Sequence, residues 1–284
     1  LLTEIYARYA AIAAPFQVAP ELLAEIQSAL QQFLTLSPND DPHFHDKILA
    51  SGEDNNARLI AGILQASGLA ARYLNPEELG ILVTDEPQNA RILPASYTKI
   101  NAWAETEEIL VIPGFFGYTE DGEICTFSRG GSDISGALVA AGVNAALYEN
   151  FTDVDGIFSA HPGYVHHPEP IKELTYREMR ELSYAGFTVL HDEALMPSYR
   201  AKIPVVIKNT NNPTHPGTMI TNQRNNLTQP VVGVASDEGF CMIYIRKYLM
   251  NREVGFTLRV LEIFKEFDLN YEHMPTGIDD ISII

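Results

Sequence analysis

The segment Ser128 to Asp133, with the sequence Ser-Arg-Gly-Gly-Ser-Asp, combines a cation with a flexible backbone. Two adjacent glycines let backbone amides turn toward a ligand, and the start of the following predicted helix, Ile134 to Ala141, adds partial positive charge. Arg129 offers a planar fork suited to a carboxylate or a phosphate. The segment therefore predicts an anion site. A tight strand-to-helix turn with a solvated arginine explains the same residues equally well, because Gly-rich turns are common.

Glu53 is the second candidate, because it shares one helical face with Ala57, Ile60 and Leu64. Three of these four residues are apolar, so the face is predicted to point into the protein. An inward carboxylate is costly unless it is paired, which makes Glu53 a candidate ligand group. A solvated acid in the first helical turn, favoured by the helix dipole, is an equally good alternative.

The third candidate is the segment Asn150 to Phe158, with the sequence Asn-Phe-Thr-Asp-Val-Asp-Gly-Ile-Phe. It follows the predicted strand Ala145 to Phe151. Ligands of open α/β sheets bind at the carboxyl ends of strands, so Thr152 and Asp153 are placed to meet a nucleotide. Two Asp and a Gly also make an ordinary turn, and the local sequence alone favours that reading.

Two pairs of neighbouring histidines, His43 with His45 and His166 with His167, are the only hint of metal chemistry in the sequence. Neither pair has the spacing of a helical zinc motif, and both lie in Pro-containing segments. Surface loop histidines explain them better. We therefore predict no protein-bound metal.

Composition excludes several classes of function. With 37 acidic against 19 basic residues and a net charge of -18, the chain repels phosphate backbones, so nucleic acid is excluded as a partner. The longest apolar stretch, Ile134 to Tyr148, is too short to cross a bilayer, and we expect a cytoplasmic protein without membrane contact. Cys125 and Cys241 lie in apolar runs and match no disulfide or zinc pattern, so both are predicted to be reduced core residues.

Helical periodicity predicts two helices, from Leu1 and from Pro20, and a third that runs to about Ser67 and stops at Gly68. Short apolar runs then alternate with helical segments, which predicts a mainly parallel α/β sheet covered on both faces. These predicted strands are Ala70 to Leu74, Ile81 to Thr84, Ile109 to Pro113, Glu123 to Phe127, Ala145 to Phe151 and Ile203 to Lys208. A capping box, Thr175 with Glu178, predicts a further helix start.

A boundary between domains is predicted in Asn209 to Pro230, where six Asn, three Pro and one Gly occur with little periodicity. The domains are then residues 1–222 and 231–284. From Val231 the pattern is a strand (Val231 to Ala235), a strand (Phe240 to Ile245), a helix with Phe256, Val260, Ile263 and Phe267 on one face, a strand (Asn270 to Met274) and a last apolar run to Ile284. This is a ferredoxin-like order.

Three motifs in this order resemble the aspartate kinase family: Ser51-Gly52-Glu53, Ser128 to Asp133, and Phe151 to Phe158. The stretch Tyr184 to His191 is similar to the family's Phe-Gly-Ala-Lys-Val-Leu-His segment. The resemblance covers nearly the whole chain. It implies an α/β fold, the amino-acid-kinase (carbamate-kinase-like) three-layer αβα sandwich, followed by a partial ferredoxin-like ACT domain from Val231.

The resemblance also implies site residues and a reaction. The substrate-binding residues carried over are Glu53, Arg129, Gly130, Gly131, Ser132 and Asp133, and those for ATP are Thr152, Asp153 and Phe158. The reaction is transfer of the γ-phosphoryl group of MgATP, with Mg²⁺ as the metal, to the side-chain carboxylate of L-aspartate. It begins lysine, threonine and methionine biosynthesis. A homodimer formed through ACT domains and an amino-acid effector are the implied partners.

The chain departs from the family pattern at three places. His161-Pro162-Gly163 stands where Asp-Pro-Arg or Asp-Pro-Lys is usual, and Thr188 replaces a lysine, which bears on helper contacts to the ATP phosphates. The family's Lys-Phe-Gly-Gly-Ser segment would precede Leu1. On the resemblance we expect the chain to be cut at both ends and to be inactive alone.

Two rival functions stay open on the sequence. One is another kinase of the same fold, acting on glutamate, an acetylated amino acid or a nucleoside monophosphate. The other is a non-catalytic sensor, in which the kinase-like part is inactive and the ACT-like part binds an amino acid. Nucleotide binding without turnover would favour the sensor.

Overall fold

The structure, a computed structural model, describes residues 2–33, 40–128, 130–184, 192–224, 231–236 and 238–284. The chain divides into two compact units, Leu1–Ala235 and Ser236–Ile284. The predicted strand at Val231 to Ala235 is wrong, because these residues have no strand. Val232 and Ala235 instead pack on a hydrophobic core of the first unit.

Helices make up much of the first unit and agree with the periodicity of the sequence. The third helix begins at Phe44 and ends at Ala66, and Gly68 follows it with the left-handed φ of 84° that stops a helix. None of the described helices has the length and apolar character needed to cross a membrane. The helices of the first unit are α1 (Leu2–Ala13), α2 (Pro20–Gln32), α3 (Phe44–Ala66), α4 (Pro76–Leu79), α5 (Ala95–Asn101), α6 (Gly131–Gly142), α7 (Tyr176–Tyr184) and α8 (Met196–Ala201).

The strands of the first unit form three sheets among the described residues. The largest has the order β5-β7-β8-β6, and the others pair β1 with β2 and β3 with β4. The strands are β1 (Ala71–Tyr73), β2 (Ile109–Val111), β3 (Phe116–Tyr118), β4 (Ile124–Thr126), β5 (Tyr148–Thr152), β6 (Glu173–Thr175), β7 (Val205–Asn209) and β8 (Thr218–Thr221).

Five of the six predicted strands of this unit overlap an observed strand, but the predicted parallel character holds only in part. β1–β2, β5–β7 and β6–β8 are parallel, whereas β3–β4 and β7–β8 are antiparallel. The connections explain the difference, because parallel neighbours need a crossover of a dozen or more residues. Only residues 119–123 join β3 to β4, and only residues 210–217 join β7 to β8.

Three hydrophobic clusters stabilise the first unit. One lies around the four-stranded sheet, with Leu174, Val205, Ile207 and Ile220 fully buried. A second joins α5, α6 and the strands β2 and β4, and a third packs α1, α2 and α3 together. Helix α6, which follows the candidate anion loop, is therefore held along its length by a core.

Two predictions about single residues are wrong. His43 was expected at the surface, but only 6% of it is exposed, because it lies directly before α3 against β4. Cys241 was expected in a core, but it is exposed, since the segment before β9 packs few apolar side chains. Cys125 is fully buried, and both cysteines are reduced, as predicted.

The described residues of the second unit form two strands, one α-helix and a short 3-10 helix at Met250–Arg252. Strand β9 (Ile243–Arg246) pairs antiparallel with β10 (Asp280–Ile283), and helix α9 (Phe256–Glu266) lies between them in sequence. Its core contains Met250, Val260, Ile281 and Ile283. The predicted helix is confirmed, whereas the strand predicted at Asn270 to Met274 is absent from these described residues.

Candidate functional site

The candidate anion loop ends in the first turn of α6. Gly130 is the N-cap residue and has a φ of 77°, a conformation that glycine adopts without strain. Gly131 is buried, and a Cβ there would lie 3.1 Å from the Cβ atoms of Phe115 and Phe127. Both glycines are therefore required by geometry, and they direct the amides of this turn to the open end of the helix.

The segment Pro113-Gly114-Phe115 supports this turn from the side. Ser135 on α6 accepts a hydrogen bond from the amide of Phe115 at 2.8 Å and donates one to the carbonyl of Gly131 at 3.1 Å. Phe115 has a φ of 71°, which is uncommon for a bulky residue and is a type of strain often found at functional sites. Phe115 and Gly114 are site candidates that the sequence reasoning missed.

A cavity of about 660 Å³ opens beside this turn and brings two of the predicted site residues together. Glu53 from α3 and Ser132 from α6 both line it. Apolar side chains from β2, α6 and the start of β5 form much of the remaining wall, among them Leu110, Ile112 and Val139. An acid and a hydroxyl thus face one space that can hold a small polar ligand.

Glu53 reaches this cavity in a different way from the one predicted. The prediction that Glu53, Ala57, Ile60 and Leu64 form an inward face is wrong, because Glu53 is exposed and Ile60 is 39% exposed. The buried residues of α3 instead lie on two sides of the helix, Asp46, Ala50 and Ala57 on one and Leu59 on the other. Four positions of similar spacing were too few to fix which side of the helix is covered.

Asp133 is tied to strand β5. Its Oδ1 accepts a hydrogen bond from the Asn150 side chain at 2.8 Å, and the same amide nitrogen donates to the hydroxyl of Tyr148 at 3.0 Å. Burial raises the pKa of the Tyr148 hydroxyl to about 12, so this hydroxyl stays protonated at neutral pH. Tyr148 was missed from the sequence because it lies inside a strand that looks like an ordinary buried run, and Asn150 was included in the candidate segment without a role of its own.

Strand β5 leads from Asp133 to the predicted nucleotide residues. Side chains two apart on a strand share a face, so Thr152 lies on the same side as Asn150, about 7 Å further along. The Thr152 hydroxyl donates to the exposed carboxylate of Asp153 at 3.2 Å. The predicted substrate residue Asp133 is thus connected to the predicted nucleotide residues through Asn150 and the end of β5.

The loop after β5 is fixed to the neighbouring strands. The Asp155 carboxylate accepts from the side chains of Asn209 at 2.9 Å and Asn212 at 3.2 Å. Phe158 forms a single β-bridge with Pro170 and is half-buried. The acid at 155 is therefore occupied by structural contacts, whereas Asp153 is presented to solvent.

For three of the predicted positions, the described part of the structure shows no contact with the cavity or the strand end. Arg129 and Thr188 lie outside the described residues. The exposed His161, which stands in the family's Asp-Pro-Arg position, accepts a hydrogen bond from the amide of Gly163 at 3.0 Å and packs against the ring of Tyr164. It therefore has a local role that accounts for its geometry.

Comparison with known proteins gives consistent results. The amino acid kinase family matches residues 6–209. Aspartokinase 3 of Bacillus subtilis is 52% identical over 284 residues, which is all of this chain and 63% of that protein. Aspartokinase 1, chloroplastic, of Arabidopsis thaliana is 30% identical over 244 residues, 84% of this chain and 43% of that protein. The chain thus spans less than two thirds of these relatives.

Solved structures share the fold. The aspartate kinase of Clostridium acetobutylicum superposes with a TM-score of 0.78 at 35% identity, covering 99% of this chain and 62% of that one. The E. coli aspartokinase III in complex with aspartate and ADP has a TM-score of 0.75 at 23% identity, covering 99% and 64%. The second likeness is one of fold alone.

Proposed function

The chain belongs to the amino acid kinase family, and from that membership we propose that it carries substrate and nucleotide residues of an aspartate kinase. The proposed reaction transfers the γ-phosphoryl group of ATP to the side-chain carboxylate of L-aspartate and gives 4-phospho-L-aspartate and ADP. The 52% identity over the whole chain with a protein named Aspartokinase 3 favours aspartate over the other acceptors used by the family.

The observation that carries the proposal is the path from the cavity to the end of β5. Ser132 and Glu53 line the cavity, and Asp133, next to Ser132, bonds Asn150 on β5. Thr152 ends that strand and Asp153 follows it. An amino acid in the cavity and a nucleotide at the strand end would therefore be neighbours along β5, and in-line phosphoryl transfer requires such a pair of adjoining sites.

On this proposal the cavity recognises both charges of an amino acid. The exposed Glu53 carboxylate receives the ammonium group of aspartate. The amides of Gly130 and Gly131 at the start of α6, with Arg129 as predicted from the sequence, hold a carboxylate. Ser132 supplies a further hydrogen bond from its hydroxyl. Asp133 is a positioning residue that keeps the turn against β5 through Asn150.

ATP enters the proposal as the complex with Mg²⁺. Thr152 and Asp153 contact the nucleotide at the carboxyl end of β5, and Phe158 follows them in the same loop. The exposed oxygens of Asp153 are of the type that Mg²⁺ prefers, whereas Oδ1 of Asp155 accepts hydrogen bonds from two asparagines. The metal neutralises charge on the phosphates when it is bound.

The chain's own residues need supply no general base for this chemistry. The attacking side-chain carboxylate has an ordinary pKa of about 3.9 and is ionised at neutral pH. One of its oxygens forms the new bond to the γ-phosphorus as the bond to the bridging oxygen breaks, and ADP leaves. Alignment and charge neutralisation then account for the rate.

We further propose that the second unit is part of a regulatory ACT domain that binds an amino-acid effector and pairs with a second copy. The support is its order β9, α9, β10 with an antiparallel strand pair. Strand β9 also keeps Ile243 and Tyr244 largely exposed, which is a surface that a partner can cover.

The test is trapping of the product by hydroxylamine, which converts an acyl phosphate into a hydroxamate, in the intact natural protein supplied with MgATP. We expect the hydroxamate of aspartate, and little or none with glutamate, an N-acetylated amino acid or a nucleoside monophosphate as acceptor. Faster ADP release with any of these three would overturn the assignment. Binding of ATP without turnover of any acceptor would favour the sensor instead.

A further inference from the structure

Three side chains with metal-binding atoms converge against strand β4, away from the cavity described above. The Nδ1 of His43 lies 3.4 Å from the Sγ of Cys125, and its Nε2 lies 3.3 Å from Oδ1 of Asp85. The sulfur and the carboxylate oxygen are 4.0 Å apart. Because Cys125 is 82 residues from His43 and 40 from Asp85, no spacing motif in the sequence reveals the group.

The group superficially resembles a Cys-His-Asp catalytic triad, but the thiol is badly placed for nucleophilic attack. Cys125 is fully buried. Burial, and then the charges of Asp46 and Asp85, raise the pKa of the Cys125 thiol to about 11. A nucleophilic cysteine needs the opposite environment, with positive charge and access to substrate.

The surroundings are those of a cation site. Asp46 is completely buried, and its Oδ2 has no hydrogen-bond partner in the part of the chain that the structure describes. The amide of Glu86 donates a hydrogen bond to the sulfur of Cys125, a contact that suits a bound thiolate. The nearby Lys47 is already engaged by Asp41 and Glu123. The buried imidazole of His43 thus meets one carboxylate and one sulfur, and the charge of a second carboxylate, Asp46, also acts on that sulfur.

The donor set and its dimensions select the kind of ion. Imidazole, thiolate and carboxylate together suit zinc and its neighbours, and not magnesium or calcium. A tetrahedral zinc ion holds such atoms about 3.3 to 3.6 Å from one another. The Cys125 sulfur lies 3.4 Å from Nδ1 of His43 and 4.0 Å from the Asp85 oxygen, and one donor atom from each residue fits within 4.8 Å of the others. A single ion takes one imidazole nitrogen, and the Asp85 side chain, 66% exposed, is free to turn toward it.

We propose that His43, Asp85 and Cys125 form a binding site for one Zn²⁺ ion. The three residues come from the start of α3, the loop before α5 and strand β4, so the ion ties these elements together. Strand β4 runs directly into the loop Ser128 to Asp133. The ion therefore stiffens the support of the substrate turn and takes no part in phosphoryl transfer.

The test is metal binding by the chelator-treated full chain, measured by elemental analysis after dialysis and by competition with a chromogenic chelator. We expect about one tightly held Zn²⁺ per chain, and a thiolate-to-cobalt charge-transfer band when Co²⁺ replaces it. Added Zn²⁺ should also raise the Tm. His43→Gln, Asp85→Asn and Cys125→Ser should each weaken binding by about tenfold to a hundredfold or more.

Matched controls are available in the chain. His45→Gln changes an exposed histidine two residues from His43, and Cys241→Ser changes the exposed cysteine, so both should leave binding unaltered. Asp85→Asn alters an exposed side chain and keeps the test valid if Cys125→Ser does not fold. Binding that survives Asp85→Asn and His43→Gln, or a cobalt spectrum of octahedral carboxylate type without the thiolate band, would show adventitious binding and overturn the proposal.

Discussion

Two of the three acids on helix α3, Asp46 and Glu53, lie seven residues apart and differ in burial, hydrogen bonding and expected role. Asp46 is completely buried and accepts hydrogen bonds on Oδ1 from the Thr126 amide, the Thr126 hydroxyl and the Gln88 amide. Glu53 is exposed and lines the cavity with Ser132. The first acid fixes the helix to β4, and the second is available to a ligand.

The difference shows that the position of an acid in a helical pattern does not predict whether the acid is structural or binds a ligand. We call Asp46 with Thr126 and Gln88 the anchor, and the space lined by Glu53 and Ser132 the substrate cavity. A change in the anchor should lower stability, because buried hydrogen-bond donors would lose their acceptor. A change in the substrate cavity should act on ligand binding, because exposed charges contribute little to folding.

The largest effect is expected for Arg129→Ala, which acts on the cavity side of the comparison. Arg129 lies outside the described residues, so this prediction rests on the sequence and the family resemblance. Losing one member of a buried charge pair costs about 2 to 5 kcal/mol, or roughly thirty- to several-thousand-fold in the use of aspartate. Steady-state kinetics should show a much smaller change in the KM for ATP; equal small changes for both substrates would contradict the assignment.

On the anchor side, Asp46→Ala should lower the free energy of unfolding by about 2 to 4 kcal/mol, because two amides and a hydroxyl lose their acceptor. Asp46→Asn keeps one acceptor oxygen and should cost less. Urea denaturation in the presence of a chelator measures both. An Asp46→Ala variant as stable as the parent chain would mean that the anchor is not structural.

Gly136 lies where the cavity wall meets β5, and its substitution should affect stability through crowding. A Cβ at Gly136 would lie 2.4 Å from the Tyr148 hydroxyl, whereas Gly52 on α3 has nothing within 4 Å. We expect Gly136→Ala to cost about 1 to 3 kcal/mol. Gly52→Ala should be neutral or stabilising by up to about 1 kcal/mol. Thermal unfolding of the two variants side by side checks this, and equal effects would show that the wall is not tightly packed.

The smallest effect concerns pH. Because the pKa of Tyr148 is raised to about 12 in the folded chain from an ordinary value of about 10, its contribution to stability is complete below pH 10. That contribution is lost as the pH rises toward 12. Tyr148→Phe should therefore lose less stability than the parent chain over this interval. Parallel slopes for the two proteins in alkaline urea titrations would contradict the buried position of the hydroxyl.

Much of the fold follows from local patterns. Helical periodicity located α1, α2, α3 and α9, and the predicted capping box is confirmed by mutual hydrogen bonds between Thr175 and Glu178 of 2.8 and 3.1 Å. These features depend on residues close in sequence. The site loops also stood out, because glycine and aspartate clusters after strands are local signals.

Features that depend on distant partners could not be predicted. Strand β8 lies inside the stretch predicted as a domain boundary, since its pairing with β6 and β7 outweighs the Asn-rich and Pro-rich surroundings. His43 is buried because β4 packs on it, 82 residues away. The cavity itself is a product of tertiary packing, so Phe115 and Tyr148 gave no signal as site residues, and the contact of Asn150 with Asp133 could not be predicted.

The most direct test of the account is a KM measurement for both substrates on Glu53→Gln in the intact natural protein, with unfolding measured alongside. Glu78→Gln, which alters an exposed acid paired with Arg72, is the matched control. The account predicts that Glu53→Gln raises the KM for aspartate by about tenfold or more, leaves the KM for ATP within about twofold, and changes stability by less than about 0.5 kcal/mol. An unchanged KM for aspartate, or an equal rise for ATP, would contradict the placement of aspartate in the substrate cavity.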